Sequence, residues 1–167
     1  MKSITKALPL LILFAVLAVV AAPAQTIYAG GVSFAPGAEQ RFAGTALLAK
    51  PVSDSSGTYA FTVLDAVPTS YQPMTVTTNI GAGIAQRVVG FDLAGHKVEI
   101  FVPTSAGVSW TGKNVGWQWN AGGLADIPIK GSWGVQPHIR FLKSSVNDNS
   151  GYQVILGVLF RYRGWGQ

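Results

Sequence analysis

Between Lys97 and Thr111 the chain changes character at nearly every residue. Val98, Ile100, Val102, Ala106, Val108 and Trp110 fall on one side, and Glu99, Ser105, Gly107, Ser109 and Thr111 on the other. Successive side chains of an extended strand point to opposite faces, so the run reads as a strand with one greasy face and one small or polar face. The pattern recurs in segments of about ten residues, the length of a tilted membrane strand. Val115, Trp117, Trp119 and Ala121 oppose Gly116, Gln118, Asn120 and Gly122, and Trp133, Val135, Pro137, Ile139 and Phe141 oppose Gly134, Gln136, His138 and Arg140. Tyr152, Val154, Leu156, Val158, Phe160 and Tyr162 oppose Gln153, Gly157, Arg161 and Arg163, with Ile155 and Leu159 as apolar interruptions of the polar side.

The first half carries a fainter version. Tyr28, Val32 and Phe34 oppose Ala29, Gly31 and Ser33; Phe42, Ala46 and Leu48 oppose Arg41, Ala43 and Thr45; Tyr59, Phe61 and Val63 oppose Thr58, Ala60 and Thr62. A fourth strand over Thr75 to Val89 sets Val76, Ile80, Ala82 and Ile84 against Asn79, Gly81, Gly83 and Arg87. Eight strands result, an even number that permits a closed antiparallel barrel. Segments rich in turn formers separate them: PGAEQ, KPVSDSSG, DAVPTSYQP, FDLAGH, TGKN, ADIPIKGS and KSSVNDNSG. Most charged residues are expected in these connectors or at strand ends.

The amino terminus has a different grammar. Lys2 and Lys6 precede an uncharged stretch from Ala7 to Ala22, and Ala22-Pro23-Ala24 supplies small residues where a signal peptidase reads. The stretch is shorter than the roughly 20 residues a spanning helix needs. Residues 1–24 are therefore expected to be a cleaved signal peptide, and residues 25–167 a single barrel domain. There is no cysteine, so neither a disulfide nor a lipid-attachment thiol enters the design.

Charged residues make up 11% of the chain, less than half of what a soluble domain carries. Without the two leader lysines, ten basic side chains face seven acidic ones, too small and scattered an excess for a nucleic-acid footprint. No second apolar run approaches a spanning helix. A chain so short of charge, without such helices, satisfies its backbone in lipid only as a closed barrel. The expected fold is all-β, an eight-stranded antiparallel up-and-down transmembrane β-barrel preceded by a signal peptide.

The less apolar face is mostly Gly, Ala, Ser, Asn and Gln, which suits the cramped lumen of an eight-stranded barrel. Arg87, Glu99, Gln118, Gln136, His138, Arg140, Arg161 and Arg163 are expected to form its polar cluster, with Glu99 paired to one of Arg87, Arg161 or Arg163 because an isolated carboxylate there is costly. Trp110, Trp117 and Trp119 flank one hairpin, and Trp133, Tyr162 and Trp165 lie near opposite strand ends, the placement of two interfacial girdles. A water-soluble, lipocalin-like lipid carrier would instead use its aromatics as core.

From Val115 to Tyr162 an alternating aromatic strand, a short turn, GSWGVQPHIRF and a final GYQVILGVLFRYRGW follow in sequence. This order resembles the small outer-membrane β-barrels of the OmpA and OmpX type. The resemblance implies periplasmic termini, TGKN and KSSVNDNSG as surface loops, and contacts with outer-membrane lipids, lipopolysaccharide and the outer-membrane insertion machinery. Phe160 and Tyr162 have the spacing of the family's terminal aromatic signal, although the chain runs on to Gln167.

Candidates for chemistry are few. His96 sits in the Gly95 turn, and His138 faces inward with Gln136 and Arg140; neither histidine has metal-ligand spacing. Lipid A deacylases of the outer membrane use a His-x-Ser-Asn type motif, and in His138-Ile139-Arg140 an arginine stands where the serine belongs. No catalytic residue, cofactor site or metal site is assigned. The expected role is structural or surface-interacting, in a bacterial outer membrane, without an open pore. The alternatives are a lipid-modifying barrel enzyme and a soluble periplasmic carrier.

Overall fold

A computed structural model describes residues 26–36, 41–53, 56–71, 74–112, 114–146 and 152–163. The expected leader and Trp165 lie outside these residues. Eight strands follow in chain order: β1 (Ile27–Ala35), β2 (Arg41–Ser53), β3 (Thr58–Tyr71), β4 (Met74–Leu93), β5 (His96–Thr111), β6 (Asn114–Lys130), β7 (Trp133–Ser144) and β8 (Gln153–Arg163). Each pairs antiparallel with the next, and β8 returns to β1 from Ile27↔Arg163 to Phe34↔Leu156, closing the barrel. Closure leaves no long sheet edge and lets every strand turn one face to the lumen. The start of β1, the end of β8 and the β2–β3, β4–β5 and β6–β7 connections gather at one rim, the terminal rim; the other connections mark the loop rim.

The alternation sets the inner face. Ser33, Thr45, Asn79, Ser105, Ser109, Gln118, Asn120, Gln136, His138 and Arg140 are buried inside, while Val32, Phe42, Ile84, Val102, Trp117, Ile139, Phe141, Val158 and Phe160 are exposed outside. Ile155 and Leu159, the interruptions of β8, are at 0% and 1% exposure and help to fill the lumen.

One strand departs from expectation. Phe61 and Val63 of β3 point inward, at 2% and 1% exposure, and the outward residue between them and Asp65 is Leu64. The reason is volume. Near the terminal rim the walls contribute Ala29, Ala49 and Ala85, so large side chains from β3 and β5 must occupy the space they leave. Phe61 and Val63 cluster with Ile27 and Ala49, and Tyr59 packs edge-on against Phe101 at 5.4 Å. Val98, expected on the greasy outer face, is covered to 3% opposite Phe91 in the hairpin register.

Several segments expected as connectors are strand. β3 runs through DAVPTS, β4 extends to Leu93 rather than Val89, and β6 runs through ADIPIK. Their prolines sit where the pairing slips: register shifts fall at Pro51/Ser53, Pro68/Ser70 and Pro128/Lys130. A bulge tolerates a residue that cannot donate to the ladder. In consequence Asp65 and Asp126, expected in connectors, are buried inside the barrel.

Candidate functional site: two charged clusters in the lumen

The first cluster spans the lumen. Arg140 on β7 grips Asp65 on β3 with two hydrogen bonds, Nη1 to Oδ2 at 3.0 Å and Nη2 to Oδ1 at 2.6 Å. Thr45 Oγ1 donates to Asp65 Oδ1 at 2.7 Å and lies 2.8 Å from Ser33 Oγ, which in turn lies 3.2 Å from His138 Nε2. Each hydroxyl has one proton. The Thr45 proton goes to the carboxylate, and the Ser33 hydroxyl stands between Thr45 Oγ1 and His138 Nε2, the donor of this last contact being set by the imidazole tautomer.

Ser33 and His138 are two strands apart and meet only because Gly157 of β8 separates them. Gly157 is opposite both in the register, and a Cβ there would come within 2.5 Å of Ser33 Oγ and 2.8 Å of His138 Cε1. A second glycine performs the same service in the other cluster. Arg161 of β8 lies over Gly134 of β7, whose absent Cβ would be 2.8 Å from Arg161 Nε. Arg161 thereby reaches Asp126 of β6, Nε to Oδ1 at 2.6 Å, and also donates to the Ser132 carbonyl at 3.1 Å. Arg163 completes the pair with Asp126 Oδ2 at 2.9 Å.

Glu99 lies at the terminal mouth among three cations: Arg87 Nη1 at 2.8 Å, Lys97 Nζ at 3.8 Å and Arg163 Nη2 at 3.9 Å. Arg161, expected as another candidate partner of Glu99, is instead committed to Asp126. Arg87, expected well inside, is 40% exposed beside the Arg87/Val89 bulge. Gln136 donates weakly to Asp126 at 3.4 Å. Gln118, at 1% exposure, has no hydrogen-bond partner among the described residues. The two acidic anchors, Asp65 and Asp126, escaped sequence reasoning; Asp126 shares its parity with the inward Gln118 and Asn120, which was the available signal, whereas the parity of Asp65 with Phe61 pointed to the outer face. Among the described residues no three His, Asp or Glu side chains gather as a metal site.

The outer surface carries the other half of the design. Trp110, Trp117 and Trp119 lie toward the loop rim, where Trp119 meets Tyr152 edge-on at 5.7 Å. Trp133 and Tyr162 pack at 4.9 Å at the terminal rim. Between these rings, outward-facing strand positions carry no Asp, Glu, Lys or Arg; Lys50 and Lys143 lie at its two borders.

Closed eight-stranded architecture of this kind defines the chain as a small up-and-down β-barrel. Among solved structures it is similar to a de novo designed transmembrane β-barrel, with a TM-score of 0.50 and 12% identity over 86% of this chain and 98% of that one. It also matches the outer membrane enzyme PagL (TM-score 0.48, 9% identity, 83% of this chain and 99% of that one) and Ail, the attachment invasion locus protein of Yersinia pestis (0.45, 9%, 83% and 97%). No family model and no curated protein matches the sequence.

Proposed function

We propose that the barrel spans a bacterial outer membrane as a closed protein with a structural or surface-contact role. The observation that carries this reading is the inversion of polarity: buried ion pairs inside, and outside a belt of exposed Val, Leu, Ile and Phe without charge between two aromatic rings. In water such a surface would be a large exposed apolar patch; in a bilayer it is the surface of a transmembrane barrel. A soluble carrier needs a cargo cavity of some hundreds of Å³. The pocket in the apolar half of this lumen, lined by Ile27, Phe61, Phe101 and Leu124, has a volume of about 30 Å³.

Packing also supports a plug rather than a pore. Asp65, Arg140, Ile155, Leu159 and Gln118 are all buried inside the ring. The test is fractionation followed by electrical recording. Membrane-bound protein giving no steady conductance in planar bilayers is the expected result; soluble periplasmic protein, or long-lived channels, would overturn it.

The contact between Ser33 and His138 is the observation that favours a hydrolytic second reading. A base must accept the nucleophile's proton, which His138 can do only in the tautomer that leaves Nε2 bare. Ser33 is 1% exposed, which argues against a substrate reaching it. Ester hydrolysis by the purified barrel that disappears in Ser33→Ala would restore the enzyme reading.

A further inference from the structure

Lys143 is the outward-facing cation at the loop rim among the described residues, and its surroundings are built. It stands opposite Trp119 in the β6–β7 register, and its ammonium lies 5.0 Å from the ring centroid of Tyr152, which immediately precedes β8. Trp119 and Tyr152 meet edge-to-face, at 77° between planes, beside the lysine. Among the described residues no carboxylate pairs with Lys143. The exposed apolar residues Phe141 and Leu156 continue from this trio into the belt.

The chemistry of the three side chains is one-sided. Lysine offers three N–H donors and a compact charge, indole offers one N–H, and the tyrosine hydroxyl donates as well as accepts. Amphipathic rings favour the level where hydrocarbon gives way to headgroups. Such a set fits an anion whose remainder is greasy, with its chains lying over Phe141 and Leu156.

We propose that Lys143, Trp119 and Tyr152 form a headgroup site for the anionic phosphate of a membrane lipid in the loop-side leaflet. The inference rests on the membrane-spanning reading above. Lys50, an outward cation toward the terminal rim, has no ring contact of this kind among the described residues and serves as the internal control.

The full barrel is placed in phosphatidylcholine nanodiscs doped with bisphosphorylated lipid A or with its dephosphorylated counterpart, and retained lipid is counted by native mass spectrometry. The parent is expected to retain the phosphorylated form about fivefold better, the effect of one cation near an anionic surface. Lys143→Gln should abolish that preference, Lys143→Arg and Lys50→Gln should keep it, and Trp119→Phe should weaken it. A parent without preference, a Lys143→Gln variant that retains it, or an equal loss in Lys50→Gln overturns the site while leaving the membrane reading intact. A barrel that inserts into no bilayer overturns both.

Discussion

Arg140 reaches Asp65 across the full width of the lumen, since β7 and β3 stand on opposite walls of the ring. Both side chains are nearly sealed, at 5% and 1% exposure. The pair therefore joins walls that share no backbone hydrogen bond, and it orients Thr45, Ser33 and His138 in turn.

Breaking that pair from one side leaves a buried charge without compensation. Asp65→Leu and Arg140→Met are each expected to cost about 3 to 5 kcal/mol. The double variant Asp65→Leu/Arg140→Met should recover much of the loss, because a matched apolar replacement leaves no orphan charge. Urea unfolding in lipid bilayers, read by tryptophan fluorescence, completes the cycle; additive losses would contradict a direct pair.

Glu99 and Asp126, both in the terminal half, should differ sharply. Asp126 is buried with Arg161 at 2% exposure, so Asp126→Ala should cost about 3 to 5 kcal/mol. The Glu99 partners Arg87, Lys97 and Arg163 are 40%, 69% and 37% exposed, and solvent screening reduces Glu99→Gln to about 1 kcal/mol or less. Raised salt should narrow the Glu99 effect and leave the Asp126 effect in place.

Gly157→Ala is expected to destabilise by about 1 to 3 kcal/mol, since the new methyl group would overlap Ser33 and His138. Gly123→Ala supplies the comparison: its nearest neighbour would be Ile139 Cγ2 at 3.8 Å, an ordinary contact on the outer face. Unfolding midpoints that rank these two variants in the reverse order would refute the packing described for Ser33 and His138.

Gln118 is expected to be worth removing. A buried carboxamide without partners carries its desolvation cost, so Gln118→Met should raise stability by about 1 kcal/mol. A clear loss on the same unfolding curves would show that the amide is satisfied in solution, by ordered water for instance.

Arginine placed along the outer face should report depth. Ile139→Arg is expected to cost about 2 to 4 kcal/mol if it lies near mid-bilayer, and Trp133→Arg about 0 to 1 at the terminal rim. A flat profile along β7, measured by unfolding from bilayers, would argue against a membrane environment.

Parity made β7 legible from sequence: Gln136, His138 and Arg140 lie inside, and Ile139 and Phe141 outside. Side-chain size made β3 illegible. Alternation separates two faces but does not say which is the lumen, and the rule that the greasier face looks outward fails where Ala49 and Ala85 leave space for Phe61 and Val63. Prolines hid the rest. Pro68 and Pro128 read as turn signals, yet each occupies a bulge within a strand, so Asp65 and Asp126 were assigned to connectors although they anchor both clusters. The reach of Arg140 across the lumen has no local signature at all.

The pairing of the first strand with the last has a kinetic side. Until β8 docks against β1, the lumen is open along one seam, and Asp126 lacks both of its arginines. Arg161 and Arg163 arrive only with that last strand, so the pairs with Asp126 are assembled at sealing, whereas Arg140–Asp65 and Arg87–Glu99 need no residue of β8. Interactions formed after the rate-limiting barrier slow unfolding without hastening folding. If β8 docks after that barrier, the Asp126 pairs act as a latch, setting how long a finished barrel persists.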